Sequence, residues 1–353
     1  MKYTVKDTYH LFTSALEKFG ISTLKNELQV NKNTIKRWKI LKNVPNYYFF
    51  DLCNILDVEI DYDSFSAKEK DQFFTSKSSV DYCLSVLSQK LKELGIDESE
   101  YTYIEPSAGN GSFYNELPKD RRIGLDIEPK SEGIIRHNFL KWSPSELKKY
   151  ITIGNPPFGL RGNLALRFIN HSSKFSEFVV FILPQLFESD GKGSCKGRVE
   201  GLNLIHSEKI DSSFYYPNGT DVKVNVVFQI WSKNFKVESD KSSCSDFIKI
   251  YSVSDGGTPG TTRNKKLLYS CDVYLPTTCF GADNMKLYYD FEKLPQRRGY
   301  GIKILKDFDT VLESFKNINW VDKSFKSTNG AFNLRFDLIE KSLSDYGIKN
   351  PLN

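Results

Sequence analysis

The stretch Tyr101-Thr-Tyr-Ile-Glu105-Pro-Ser-Ala-Gly109-Asn-Gly111-Ser-Phe113 decides how this 353-residue chain is read. Five residues dominated by Tyr, Thr and Ile read as a strand, and a run of Pro, Gly, Asn and Ser ends it at once. Two glycines in the loop let the backbone approach a ligand with no Cβ in the way. A structural turn alone would read the same way. No phosphate-binding Lys follows, which argues against a nucleotide P-loop, and the third glycine of a dinucleotide fingerprint is missing.

Working outward, β-type runs recur at Arg122–Ile127, Tyr150–Gly154, Phe178–Leu183 and Val224–Trp231. A helix is expected over 78–94, with Val80, Leu84, Leu87, Leu91 and Leu94 on one face. Strand and helix in alternation predict an α/β fold built on a doubly wound, Rossmann-like sheet. In such sheets ligands lie beyond the carboxyl ends of the strands. The residues just after each strand therefore matter most. Leu125-Asp-Ile-Glu-Pro129 places an acid at a strand end, where it can bind the two hydroxyls of a ribose. A helix N-terminal acid is the plainer alternative. Taken together, the two loops suit a nucleoside ligand without a pyrophosphate, a description that fits S-adenosylmethionine.

A third loop, Gly154-Asn-Pro-Pro-Phe-Gly159, carries two prolines that fix the backbone and remove two donors. The Asn155 side-chain oxygen and the Pro156 carbonyl remain as acceptors, followed by the Phe158 ring. Two acceptors and a stacking ring suit a planar group bearing an NH₂. A rigid turn is the alternative.

These motifs resemble the N6-adenine DNA methyltransferases, over residues 71–231 and by position only beyond them. Glu105-Pro-Ser-Ala-Gly-Asn-Gly111 is similar to motif I of that family, Asn155-Pro-Pro-Phe158 to its catalytic motif IV, and Asp71-Gln-Phe-Phe-Thr75 to its motif X. The order, with a long C-terminal region last, is similar to the gamma arrangement. The resemblance implies a methyltransferase fold using S-adenosylmethionine and acting on a flipped adenine in double-stranded DNA. It implies catalytic roles for Asn155, Pro156, Pro157 and Phe158. It implies cofactor contacts from Phe74, Thr75, Glu105, Pro106, Ala108, Gly109, Gly111 and Asp126. In motif III the family carries an acid that binds the cofactor's adenine amino group, followed by Phe; the resemblance implies the same cofactor contacts for Asn138-Phe139, where the amide oxygen accepts that hydrogen bond without charge. Tyr216, in Tyr215-Tyr-Pro217, matches the aromatic that stacks on the target base; a core tyrosine is the other reading. A restriction-modification or phage setting, a cognate restriction endonuclease as functional partner, and the cytoplasm of a bacterial host are the expected context. Methylation of RNA adenine, and a DNA-binding regulator with an inactive methyltransferase domain, are the alternatives.

Residues 1–48 hold nine Lys+Arg against three Asp+Glu, whereas 49–70 hold two against six. That shift suggests a small module and then a linker. Leu11, Ala15, Leu16 and Phe19 recur at helical spacing, Gly20 stops that helix, and Leu24 and Leu28 mark a second. Asn33 is expected to cap a third helix, Thr34–Leu41. This resembles the helix-turn-helix of phage-repressor-type regulators. Lys32, Asn33, Lys36 and Arg37 would face DNA, with Ile35 and Trp38 turned inward. A helical packing domain with a solvated basic face is the bland alternative. The expected division is a helix-turn-helix module over 1–62, a catalytic domain over 63–235 and an α+β target-recognition domain over 236–353. In the last, Arg263, Lys265, Arg297 and Arg298 are candidates for guanine edges or phosphates, or a solvated charged face. Gly299 and Gly301 predict a mobile loop there, and the loop 190–198 would close over DNA or stay disordered.

Composition excludes other classes. The longest apolar run, Phe178–Leu183, is far short of a membrane span, and no signal peptide is expected. Six Cys without a CxxC pair and only four His make a metal site unexpected, and the thiols are read as free.

Overall fold

In the computed structural model, the apolar run at Phe178–Leu183 lies inside a seven-stranded sheet. The structure describes residues 3–351 except 29, 68, 71, 190–193, 212, 238–242, 255–264, 293, 295–297 and 327–329, and only the backbone at 63, 265 and 266. The sheet strands are β1 (Tyr101–Glu105), β2 (Arg122–Asp126), β3 (Ile134–Arg136), β4 (Lys149–Gly154), β5 (Phe178–Pro184), β6 (Asn203–Ile210) and β7 (Val226–Ser232). Their order is β3-β2-β1-β4-β5-β7-β6. Strands β1 to β5 run parallel, and β7 is antiparallel to both β5 and β6. The chain reverses direction across the sheet between β1 and β4. That is the switch point at which a doubly wound sheet opens a ligand crevice.

Strands buried on both faces need a cover on each side. Four helices matter here: α1 (Thr8–Glu27), α2 (Lys32–Leu41), α3 (Phe49–Leu56) and α4 (Lys77–Glu93). Helix α4 covers one face, packing Val80, Cys83, Leu87 and Leu91 on Tyr103, Ile151, Val180 and Phe228. The other face is covered by α5 (Asn163–Ser172), through Ala165, Leu166 and Ile169 on Ile104, Val179 and Phe181. Helices are fewer than strict alternation predicts. The β1–β2 and β2–β3 connections hold turns and single 3₁₀ turns, because Pro106, Gly109, Gly111, Pro118, Pro129 and Gly133 interrupt any helix.

Helices α1 to α3 share a separate apolar core that includes Leu11, Phe12, Leu24, Ile35, Trp38, Phe49 and Leu52. Gly20 does break α1, at φ 76°. The cap of α2 differs from expectation. Asn31, not Asn33, is the cap, its side chain accepting the Thr34 N–H at 2.7 Å. Asn31 has the extended backbone a cap requires, whereas Asn33 sits in the first turn. Ile35 and Trp38 are turned inward, as their spacing predicts, and Trp38 packs edge-on against Phe12 and Tyr48.

Beyond residue 243, β8 (Ile248–Ser254), β9 (Val273–Pro276) and β10 (Arg298–Ile304) form an antiparallel sheet with β10 central. It packs with α6 (Phe308–Asn317) and α7 (Phe336–Asp345) around a third core. Gly299 and Gly301 lie inside β10, which corrects the expectation of a mobile loop. A Cβ on Gly299 would stand 2.1 Å from the Tyr274 ring, and one on Gly301 2.7 Å from Cys271 Sγ. These glycines are there for close packing. All six cysteines are buried and unpaired. Among the described residues no helix is long and apolar enough to cross a membrane.

Candidate active site

The loops after β1 and β4 meet at the switch point and line a cavity of about 550 Å³. That is within the roughly 300–1,000 Å³ of small-molecule sites. The β1 loop is held by its backbone. Ala108 N–H donates to Leu125 O at 2.9 Å, and Gly109 N–H donates to Asp126 Oδ2 at 2.7 Å. Gly109 has φ 50°, and a Cβ on it would come within 3.0 Å of the Phe74 ring. The two-residue strand Phe74–Thr75 thus presses on the glycine loop while pairing with Phe214–Tyr215. Gly111 serves the turn, at φ 84°, where a Cβ would meet Asn115 at 2.6 Å.

Charge inside this cavity is expensive, and the carboxyls record it. Glu105 is 3% exposed, and burial pushes its carboxyl well above the usual range, although the Tyr114 and Phe113 N–H groups oppose this. Its Oε2 is buried without a partner among the described residues. Burial also raises Asp126, opposed by the N–H groups of Glu128 and Gly109. Asp126 Oδ1 accepts from Glu128 N–H at 2.7 Å, so each oxygen holds one backbone donor and keeps lone-pair capacity.

In the β4 loop, Asn155 Nδ2 donates to the Thr75 hydroxyl at 3.3 Å. Ser107 Oγ donates to Asn155 O at 3.2 Å. Asn155 Oδ1 is left buried without a partner among the described residues. An unsatisfied buried acceptor costs on the order of 1–3 kcal/mol. Two such atoms, on Glu105 and Asn155, stand on one cavity wall.

The structure brings together Phe74, Thr75, Glu105, Pro106, Ala108, Gly109, Asp126, Asn138, Phe139, Asn155 and Pro157 around this cavity. Asn138 caps a 3₁₀ turn, its Oδ1 accepting Leu140 N–H at 3.0 Å. Phe139 is 2% exposed and packs with Phe168. Gly111, Pro156, Phe158 and Tyr216 do not line the cavity. Phe158 is 6% exposed and packs edge-on against Phe73, centroids 5.5 Å apart, because the apolar cluster with Phe214 takes its ring. A free stacking ring at Phe158 is therefore not what this arrangement presents. Tyr216 is half-buried at the start of a turn, donating its N–H to Thr220 O at 2.8 Å.

Of the expected DNA contacts, Lys32, Asn33, Lys36 and Arg37 form an exposed face of α2 away from the cavity. Arg298 is exposed at the start of β10. Arg263 and Arg297 lie outside the described residues, as do Asp71 and 190–193 of the expected closing loop. Lys265 begins a short helix whose side chain there is not described.

Several lining residues went unread in the sequence. Tyr215, not Tyr216, reaches the glycine loop: its hydroxyl accepts from Asn110 Nδ2 at 2.9 Å, and its ring meets Phe74. Ile127, 40% exposed, follows Asp126 on the wall, and Lys70 pairs with Glu128 at 3.0 Å. Arg161 is held at φ 53° between Gly159 and Gly162. Strain of that kind clusters at functional sites. Helix α3 also contributes Phe50, Asp51 and Asn54.

No family model matches the chain, and no curated protein matches it. It is similar to a candidate RNA methyltransferase from Pyrococcus horikoshii, at 16% identity over 47% of this chain and 88% of that one, TM-score 0.36. A Thermoplasma acidophilum protein designated 1320 shares 16% identity over 46% of this chain and 89% of its own, TM-score 0.30. DrdV in complex with DNA shares 12% identity over 65% of this chain and 35% of its own, TM-score 0.36.

Proposed function

We propose that the chain is an S-adenosylmethionine-dependent methyltransferase acting on N6 of an adenine turned out of double-stranded DNA. One observation carries this reading: the buried, unpartnered Asn155 Oδ1 at the switch-point cavity, inside Asn155-Pro-Pro-Phe158. An acceptor kept free at a cost is suited to a donor that arrives with the substrate.

The residues present fit the cofactor. The unpartnered Glu105 Oε2 suits a cationic group, Asp126 keeps acceptor capacity for ribose hydroxyls, and Ile127 and Phe139 offer apolar walls for a ring. Phe74, Thr75, Pro106, Ala108 and Gly109 complete that wall. S-adenosylmethionine supplies an electrophilic methyl when bound. The chain's part is to make a poor nucleophile competent. The adenine N6 lone pair is conjugated with its ring. A hydrogen bond accepted at Asn155 Oδ1 favours a pyramidal nitrogen and stabilises its developing positive charge. Thr75 orients the Asn155 amide for this role. Alignment of the nitrogen with the methyl supplies the rest. The adenine must leave the helix because N6 is paired inside it.

DNA as partner is supported by the exposed basic face of α2, read as a helix-turn-helix, with the unit beyond residue 243 as target-recognition region. The family setting, restriction-modification or phage in a bacterial cytoplasm, goes with this reading. Incubation with S-adenosyl-L-[methyl-³H]methionine and duplex DNA, RNA or protein, followed by digestion to nucleosides or residues, tests it. Label in N6-methyldeoxyadenosine is the expected result. Label in RNA or protein only, or none despite cofactor binding, would overturn it.

A further inference from the structure

Helix α3 has two faces. Phe49, Leu52 and Cys53 enter the core of the helical unit, while Phe50, Asp51 and Asn54, with Tyr47 just before them, line the cavity of the methyltransferase sheet. Contacts around this junction fix the placement. Asn163 Nδ2 donates to Glu27 O at 3.1 Å, Lys141 pairs with Asp57, and Leu160 packs against the helical core. The helical unit is therefore a wall of the site.

On that wall Asp51 is anomalous. It is 8% exposed, and among the described residues it makes no hydrogen bond or close ion pair; the countercharge that acts on it is Arg167 of α5. Carboxyls almost never stay buried in this way unless paired. Burial pushes its carboxyl up to about 6, with Arg167 pulling it down and Glu27 raising it. Leu164 and Phe168, on either side of Arg167, line the cavity beside Phe139, and Asn54 borders a neighbouring pocket with Ile127, Glu128 and Asn138. Asp51 lines the same cavity as Ile127, Asn138, Phe139, Leu164 and Phe168, whose largely apolar surfaces suit a planar ring. Asn138 is the polar group expected to read such a ring, but its Oδ1 carries no charge and shares its lone pairs with Leu140 N–H. The cavity thus holds a carboxyl with no donor among the described residues and a neutral amide whose oxygen is shared with the backbone.

We infer that Asp51, from the helical unit, accepts a hydrogen bond from the 6-amino group of the cofactor's adenine and so makes that unit part of the cofactor site. The inference rests on the cofactor reading above. It assigns α3 a binding role that its sequence, an apolar stripe with a single acid, does not suggest.

Calorimetric binding of S-adenosylhomocysteine and of its deaminated analogue S-inosylhomocysteine to the full chain tests this. The unmutated chain should prefer the adenosyl compound by tenfold or more, since hydrogen bonds to charged groups are the stronger kind. Asp51→Asn should weaken S-adenosylhomocysteine binding roughly tenfold and bring the two ligands close to parity. Unchanged affinity and preference in a folded Asp51→Asn would overturn the role of Asp51 while leaving the cofactor reading intact. Binding of neither ligand by the unmutated chain would overturn both. A second measurement needs no variant. The charged and titratable groups acting on Asp51 are Arg167, Glu27 and Tyr48, and Tyr47, Tyr62, Glu69, Lys70, Glu105, Asp126, Glu128, His137 and Arg161 line the same cavity. Effects of the shared groups cancel in the ratio of the two affinities. That ratio should shrink as pH falls below about 6; a ratio flat from pH 8 to 5 would contradict the inference.

Discussion

The Asn155 amide donates to the Thr75 hydroxyl at 3.3 Å, and this bond leaves Asn155 Oδ1 buried with no partner among the described residues. A residue from before the sheet thus orients the central residue of the β4 loop. Thr75 is itself 3% exposed, so the pair is shielded from water. Thr75→Val keeps the shape and removes the acceptor. We expect kcat to fall roughly tenfold, the equivalent of one neutral hydrogen bond, with little change in S-adenosylhomocysteine affinity. Single-turnover methyl transfer beside calorimetric binding separates the two.

Asp126 has a double duty, because it holds Gly109 N–H and Glu128 N–H while lining the cavity. Asp126→Ala should weaken S-adenosylhomocysteine binding by tenfold or more. An unchanged dissociation constant would refute its part in the cofactor site.

Asp51 gives a stability prediction whose sign follows from its raised carboxyl. Above about pH 6 the folded chain holds an ionised, buried carboxylate, and below the unfolded value, near 3.8, both states are protonated. The penalty is therefore complete above pH 6 and gone below about 4. Asp51→Asn should raise stability at pH 7.5 by on the order of 2–3 kcal/mol, and the gain should fade as pH falls through this window. Denaturant titrations at pH 7.5 and 4.5 check this. A stabilising substitution that also weakens ligand binding marks a residue retained for function.

Removal of residues 1–60 bears on the same wall. A module independent of the catalytic unit would leave methylation in place, as the shift in charge along the sequence suggests. The structure places Tyr47, Phe50, Asp51 and Asn54 on the cavity instead. The truncated chain should lose most of its S-adenosylhomocysteine affinity even where circular dichroism shows a folded sheet.

Much of this arrangement is legible in the sequence, for a local reason. β1 occupies Tyr101–Glu105 as its composition predicts, β2, β4, β5 and β7 lie within two residues of their predicted bounds, and the loops after β1, β2 and β4 meet. Strand propensity and turn chemistry are written in adjacent residues. What was illegible depends on partners far along the chain. Successive strand residues face opposite ways, so whether Tyr215 or Tyr216 reaches the glycine loop depends on pairing with Phe74–Thr75. Phe158 sits in the core because Phe73 and Phe214 make room for it. Asp51 reads as one of a run of acids, and only docking against α5 puts it on a cavity wall. Gly299 reads as a flexible position, yet the Tyr274 ring occupies the space its Cβ would need. Gly299→Ala should therefore cost at least the ~1–3 kcal/mol of an overpacked core.

Modified-base sequencing of genomic DNA from cells expressing the chain, beside cells expressing Asn155→Ala, tests the central claim most directly. The account predicts N6-methyladenine at one short recurring motif in the first and none in the second, with S-adenosylhomocysteine binding retained by the purified variant. The same modification in both, or in neither despite soluble protein that binds the cofactor, would contradict it.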